Sequence, residues 1–287
     1  MSSSALYVVA TPIGNLDDIT FRAVKVLGEV DLVAAEDTRA SRVLLERFGI
    51  KTPVYSCHKF NEEKRGAFFA RKLLEGKSVA LISDAGTPCI SDPGHRLVKL
   101  AHESGIDVVS VCGASSVTAA LSVSGFPADS FTFIGFLPKG EAGRKALLGF
   151  FQQGGTYVFF ESPKRIIKTI EAIGEISPAA EVCLCNDLSK KFERLYRGKA
   201  AEVLGGLLAN EHAGKGEYVC VVRAAPLAAS DEDCLSIEAQ LVDIMAKSGK
   251  SAKEAVGELN KSNGKLSRRE IYAAALRLGE MLGDAEQ

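Results

Sequence analysis

From residue 5 onward, short apolar runs rich in Val, Ile and aromatic residues alternate with longer amphipathic segments, the rhythm of β-α units. The pattern predicts strands at 5–11, 31–35, 53–57, 78–83 and 108–112, and helices at 16–28, 38–48, 62–75, 95–104 and 115–123. Five such units in succession predict a mostly parallel sheet covered on both faces. The stretch Ser124-Gly125-Phe126-Pro127-Ala128-Asp129-Ser130 has the composition of a connection, so an α/β domain over 1–124 is expected to give way to a second over 131–226. There, strands at 132–135, 157–161, 181–185, 194–198 and 217–223 alternate with helices at 142–151, 163–173 and 200–210; antiparallel pairing of the last two strands would make this sheet mixed. Beyond a small, acidic segment at 226–233, helical patterns at 237–247, 251–259 and 267–278 predict a separate helical unit over 237–284. The expected fold class is α/β: two α/β domains with a small C-terminal helical unit.

Three of the predicted strands end in loops richer in special residues than a solvent turn requires. Ser83-Asp84-Ala85-Gly86-Thr87-Pro88-Cys89-Ile90-Ser91-Asp92-Pro93-Gly94 carries two carboxylates, two glycines, two prolines and three hydroxyls directly after an apolar run. This is the composition of a backbone-lined ligand loop at the carboxyl edge of a sheet. An ordinary long turn with Pro93 opening a helix accounts for the end of the stretch but gives Asp84-Ala85-Gly86 no role. Thr11-Pro12-Ile13-Gly14-Asn15-Leu16 forms a second such loop. Cys112-Gly113-Ala114-Ser115-Ser116 forms a third, whose hydroxyls either cap the next helix or bind a ligand group. Neither the Gly-x-Gly-x-x-Gly fingerprint nor a Gly-x-x-x-x-Gly-Lys phosphate loop occurs, so a ligand without phosphates is expected. No Gly-x-Ser-x-Gly elbow is present, which argues against covalent hydrolysis.

Composition narrows the partners. A net charge of −1 on 287 residues excludes a globally basic coat, so any nucleic-acid contact must come from a local patch. The seven cysteines are odd in number, lie mostly in apolar runs and include no Cys-x-x-Cys pair, which reads as reduced core thiols. The four histidines do not gather into a ligand pattern, and no metal is expected. No apolar stretch reaches bilayer length and residues 1–4 lack the build of a signal peptide, so a cytoplasmic protein without a membrane partner is expected.

Thr11-Pro12-Ile13-Gly14-Asn15-Leu16, Ala35-Glu36-Asp37-Thr38-Arg39, Ser83-Asp84-Ala85-Gly86-Thr87-Pro88, Ser91-Asp92-Pro93-Gly94 and Phe159-Phe160-Glu161-Ser162-Pro163-Lys164-Arg165, taken in order, resemble the tetrapyrrole-methylase-type methyltransferases. Within them the resemblance is strongest to the bacterial branch that methylates the 2′-hydroxyl of a cytidine in the decoding region of 16S ribosomal RNA. It implies S-adenosylmethionine as donor, a cofactor cleft between the two α/β domains, 16S rRNA or the small ribosomal subunit as partner, and a homodimer. Carried onto this chain, it places Pro12, Gly14, Asp84, Ala85, Gly86, Ser115, Ser116 and Phe160 around the cofactor. For Asp84, pinning its own loop by an Asx turn is the competing role.

A ribose hydroxyl is a weak nucleophile, and a positioned base contributes about a hundredfold or more to its reaction. Glu36 and Asp37 after the second predicted strand, His58 after the third, Lys164 near the start of a predicted helix and Asp187 at a strand end are the candidates, and the choice among them stays open. Between residues 247 and 277, eight Lys or Arg face three Glu, which favours a phosphate-facing tail over simply solvated helices. Lys261, Lys265, Arg268 and Arg269, with Arg39 and Arg165, are the expected RNA contacts. Methylation of a tetrapyrrole intermediate or a protein side chain is the alternative within the fold. A noncatalytic ribosome-assembly protein is the alternative outside catalysis, and it leaves the ligand loops without purpose.

Overall fold

The five strand-helix repeats at the start of the chain build one parallel sheet. In the computed structural model, which describes residues 4–226, 236–262 and 266–283, the strands are β1 (Ala5–Val9), β2 (Leu32–Ala35), β3 (Val54–Ser56), β4 (Val79–Ile82) and β5 (Asp107–Val111). Most of the predicted acidic segment at 226–233, together with Cys234 and Lys265, lies outside the described residues. The spatial order is β3-β2-β4-β1-β5, with every pair parallel. Side chains alternate between two cores. Val9, Ala80 and Ile82 meet Ala23, Leu27 and Leu45 of α1 (Phe21–Glu29) and α2 (Thr38–Arg47) on one face. Leu6, Val79 and Leu81 meet Phe69, Leu73 and Leu97 of α3 (Glu62–Leu74) and α4 (His95–Glu103) on the other. Each fully buried Leu or Phe contributes about 1.5–3 kcal/mol, so both faces commit the sheet to this wrap.

The order explains where a ligand can sit. From β1 the chain crosses toward β2, past β4; from β4 it crosses toward β5, past β1. Connections from two neighbouring strands therefore leave in opposite directions, which opens a crevice at their carboxyl ends. The predicted helix at 16–28 is divided in two, a 3₁₀ turn at Leu16–Asp18 followed by α1. Asn15 accepts the Asp17 N–H and Thr20 accepts the Ala23 N–H, each at 3.1 Å, and these two caps start separate helices.

The second sheet comprises β6 (Thr132–Phe136), β7 (Gly155–Glu161), β8 (Glu181–Asn186), β9 (Arg194–Lys199) and β10 (Tyr218–Ala224), in the order β6-β7-β10-β8-β9. β6 and β7 are parallel and the remaining pairs antiparallel. The sheet is mixed, but the expected pairing of its last two strands does not occur, because β8 lies between them. β10 is buried on both faces and takes the centre, whereas the alternately exposed, cationic β9 takes the edge. Helices α6 (Glu141–Gln153), α7 (Ile166–Ile176) and α8 (Ala200–Leu208) complete this half. α7 begins three residues later than predicted: the Arg165 and Ile166 N–H groups both donate to the Ser162 carbonyl, which makes 162–165 a turn.

The helix that closes the first half, α5 (Ser116–Ser124), packs on the second sheet, its Val117, Ala120 and Leu121 against Val158, Cys183 and Val221. Both sheets thus lie in one compact unit, residues 1–226; residues 227–287 form another. In the latter, Leu241, Val256, Leu259, Ile271 and Leu278 of α9 (Ile237–Ser248), α10 (Ala252–Ser262) and α11 (Arg268–Gly283) make a core. Ser251 with Glu254 and Ser267 with Glu270 exchange the reciprocal hydrogen bonds of a capping box at the starts of α10 and α11.

α4 begins at Gly94, whose φ of +125° and lack of a Cβ suit it to lie against Leu81: a Cβ there would come within 2.6 Å of Leu81 Cδ2. Gly94 has no side chain to cap the helix. The buried Glu62 of α3 does so instead, its Oε1 accepting from the Gly94 and Arg96 N–H groups at 3.0 Å each. Replacement Glu62→Ala leaves these donors without their acceptor and is expected to cost about 1–3 kcal/mol, read as a lowered urea midpoint, with Glu62→Gln recovering part of the loss.

Candidate active site

The loops that leave β4, β1 and β5 are neighbours in space, and backbone hydrogen bonds fasten them together. The Thr11 N–H donates to the Gly86 carbonyl at 2.9 Å and the Gly86 N–H returns to the Thr11 carbonyl at 3.0 Å, an isolated antiparallel bridge between the first and second loops. Gly86 adopts φ +79°, a conformation natural to glycine. The Thr87 hydroxyl donates to the Ala114 carbonyl at 3.1 Å and ties the loop after β4 to the loop after β5.

These loops form one wall of a cavity of about 420 Å³, within the range of small-molecule sites. Ile13, Ala85, Gly86, Asp92, Ser115 and Ser116 line this side. Phe136, Phe160, Glu161, Glu217 and Tyr218, from the second sheet and its loops, line the other. Phe160 packs edge-on against Phe133 at 5.1 Å and lies 5.4 Å from Phe136, which makes an aromatic flank. Ser115 occupies the N-cap position of α5 but its side chain makes no capping hydrogen bond. Its hydroxyl is therefore not engaged in capping, and Ser115 stands in the cavity lining.

Among the described residues, the lining contains three carboxylates and no Lys, Arg or His. Glu161 is paired with Arg165 at 2.6 Å and accepts from the Thr169 hydroxyl at 2.8 Å. Glu217 is paired with Lys190 at 2.7 Å. Asp92 has no cationic partner among the described residues; burial and the Asp84 charge raise its carboxyl above the ordinary range, opposed by a hydrogen bond from Ser83. Burial likewise raises Glu36, with the charges of Asp92 and Asp84 adding to the effect. Burial and the neighbouring Tyr196 push the Tyr218 phenol up to about 12, and its hydroxyl donates to the Ala213 carbonyl at 2.9 Å.

Of the residues expected around the cofactor, Ala85, Gly86, Ser115, Ser116 and Phe160 line the cavity, whereas Pro12, Gly14 and Asp84 do not. Pro12 is buried beside it. Gly14 serves a close approach, since a Cβ there would lie 2.9 Å from the Leu188 carbonyl oxygen. Asp84 accepts the Asp37 N–H at 3.0 Å, so it pins the loop after β2 rather than its own.

None of the five expected bases lines the cavity. Glu36 borders it through its coupling to Asp92. Asp37 caps α2, and hydrogen bonds from Arg39 hold its carboxyl low, which makes it a weaker base. His58 is held by Asn61, whose side chain accepts the His58 N–H at 2.8 Å, and its Nδ1 is buried without a partner among the described residues. Lys164 is exposed. Asp187, at φ +53°, closes a loop network by accepting from Lys190 at 2.8 Å and from the Glu217 N–H at 3.2 Å.

Among the expected RNA contacts, Arg39 is exposed but paired with Asp37 at 3.0 Å, and Arg165 is committed to Glu161 and the Leu137 carbonyl. Arg268 and Arg269 are exposed at the start of α11, while the Lys261 side chain and Lys265 lie outside the described residues. Part of the tail's excess charge is met internally: Lys247 pairs with Asp243, Lys250 with Glu258 and Arg277 with Glu238.

Glu217 and Tyr218 were not expected at the site. They lie at the amino end of β10, which runs antiparallel to β7 and β8, so that Tyr218 sits opposite Glu161 and Asn186. No loop motif marks such a position. Asp92 lay in plain view in Ser91-Asp92-Pro93-Gly94, yet its place on the cavity depends on how far the loop folds back.

A doubly wound sheet joined to a mixed sheet, with a cavity of small-molecule size between them, defines a two-sheet α/β protein with a ligand-sized site at the strand ends. Residues 5–204 match the tetrapyrrole (corrin/porphyrin) methylases, and the chain belongs to that family, whose members use S-adenosylmethionine. It is 44% identical over 248 residues to the ribosomal RNA small subunit methyltransferase I of Pseudomonas aeruginosa, covering 85% of this chain and 88% of that protein. To the protein of the same name from Thermotoga maritima it is 46% identical over 199 residues, 69% of this chain and 90% of the relative. The uroporphyrin-III C-methyltransferase of Thermus thermophilus, solved with S-adenosyl homocysteine, shares the fold with a TM-score of 0.55 at 18% identity, over 76% of this chain and 97% of that one.

The Glu36 and Asp92 carboxyls titrate higher in the folded protein than in the unfolded chain, so their ionisation weighs against folding above that range. The penalty disappears as pH falls through their raised folded values. Glu36→Gln is therefore expected to raise Tm at pH 7.5, and the gain over wild type should close as the pH is lowered through the carboxylate range, as followed by scanning calorimetry.

Proposed function

We infer that this protein transfers the methyl group of S-adenosylmethionine to the ribose 2′-hydroxyl of a cytidine in 16S ribosomal RNA, acting in the cytoplasm as a homodimer. The observation that carries this reading is the cavity that, among the described residues, three carboxylates and no Lys, Arg or His line. Such a lining suits a ligand bearing a positive sulfonium and no phosphate. Ile90, Phe136 and Phe160 offer apolar surface to an adenine, and the Ser115 and Ser116 hydroxyls with the backbone of Ala85 and Gly86 offer hydrogen bonds to its polar groups. Family membership supports methyl transfer, and the names of the relatives, which match this chain over most of their length, support small-subunit ribosomal RNA.

S-adenosylmethionine supplies an electrophilic methyl carbon on sulfur. The chain's part is to hold the acceptor oxygen opposite that sulfur, and orientation of this kind is worth about 7–11 kcal/mol in favourable cases. The latched loops provide the rigid side of this arrangement and Phe160 with Phe136 an apolar flank opposite. RNA phosphates are met by local cations, with Arg268 and Arg269 at the start of α11 the exposed pair.

The test is transfer from labelled S-adenosylmethionine to small ribosomal subunits purified without this modification. Label mapped to a cytidine 2′-oxygen of 16S RNA is expected. Absence of label from the RNA of a protein that binds S-adenosylhomocysteine by calorimetry would direct the activity to a tetrapyrrole or protein acceptor.

A further inference from the structure

We propose that Asp92 is the proton acceptor for the ribose hydroxyl, an assignment that rests on the reaction inferred above. Glu161 is occupied by Arg165, Thr169 and the Ser162 N–H. Glu217 is occupied by Lys190, and Tyr218 stays protonated through the physiological range with its hydroxyl given to Ala213. Among the described residues, the lining holds no Lys or His to serve instead. Asp92 alone among the titratable lining groups combines access to the cavity with freedom from a cationic partner among the described residues.

Its surroundings make it a better base than an ordinary carboxylate. Glu36 after β2, Asp84 after β4 and the Cys89 thiol within its own loop surround it, and none of these is cationic; the Ser83 hydroxyl hydrogen-bonds to it. Half-buried and crowded by like charge, it holds a proton more readily than a solvated Asp. The loop that bears it is fixed at both ends, by the Thr11–Gly86 bridge and by Glu62 on the Gly94 and Arg96 N–H groups. In the step itself the 2′-oxygen forms a bond to the methyl carbon, the carbon–sulfur bond breaks with its electron pair passing to sulfur, and the hydroxyl proton passes to the Asp92 carboxylate and then to solvent. The products are the 2′-methoxy ribose, neutral S-adenosylhomocysteine and one proton.

The experiment compares wild type, Asp92→Asn and Asp92→Glu as full-length proteins, with folding checked by circular dichroism. Expected for Asp92→Asn are a kcat at least about 100-fold lower at saturating cofactor, a calorimetric Kd for S-adenosylhomocysteine within about threefold of wild type, and loss of the ascending limb of the kcat–pH profile. Asp92→Glu should recover part of kcat and keep that limb. A wild type that labels ribosomal RNA, with Asp92→Asn retaining kcat within about threefold or losing it with an unchanged pH profile, overturns the role of Asp92 alone. A wild type that binds S-adenosylhomocysteine but labels no ribosomal RNA overturns the reaction and the role with it.

Discussion

Two hydrogen bonds between Thr11 and Gly86 turn two separate strand ends into one surface. The loops after β1 and β4 leave toward opposite faces of the sheet, and without a tie each would be free to follow its own helix. The bridge holds them together over the crevice, and Thr87 brings in the third loop through Ala114. It demands a left-handed residue at position 86, so the glycine is a condition of the latch as well as a lining surface. α5 then carries the third loop onto the second sheet, where Val117, Ala120 and Leu121 are buried against β7, β8 and β10. The two walls of the cavity are thereby parts of one packed body.

Electrostatics gives this shape its selectivity. Cations near the cavity are committed to carboxylates, Arg165 to Glu161 and Lys190 to Glu217, and their charge is used where they stand. What faces the ligand is weakly negative, with one carboxylate that no cation balances among the described residues. Such a field favours a positively charged small molecule and disfavours a phosphate. The same neutralisation holds the second-sheet loops in place: Asp187, Lys190 and Glu217 staple the loop after β8 to the start of β10.

Much of this was legible in the chain. Alternating apolar runs gave the parallel sheet because a strand buried on both faces has few other ways to read, and Ala85, Gly86, Ser115 and Ser116 announced themselves through loop chemistry following strands. The inner order of the second sheet was less accessible. Pairing among antiparallel strands depends on which strand tolerates the edge, and the contrast between apolar β10 and cationic β9 becomes decisive only with β8 in place. That order also carries Glu217 and Tyr218 to the cavity from the amino end of a strand, where a search of carboxyl-end loops does not look. Charged residues near the strand ends were legible as charges but not as roles. Asp37, His58 and Asp187 proved to be a helix cap, a packed loop residue and a loop staple, because the nearest unsatisfied backbone or cation claims a polar side chain first.

A crystal structure of the protein with S-adenosylhomocysteine decides whether the latched loops and the second sheet together form the cofactor site. The ligand is expected in the cavity between Ala85–Gly86 and Phe160–Glu161, with a hydrogen bond to the Ser115 or Ser116 hydroxyl and the Thr11–Gly86 bridge intact. A ligand seated elsewhere, or a bridge broken to admit it, would overturn that assignment.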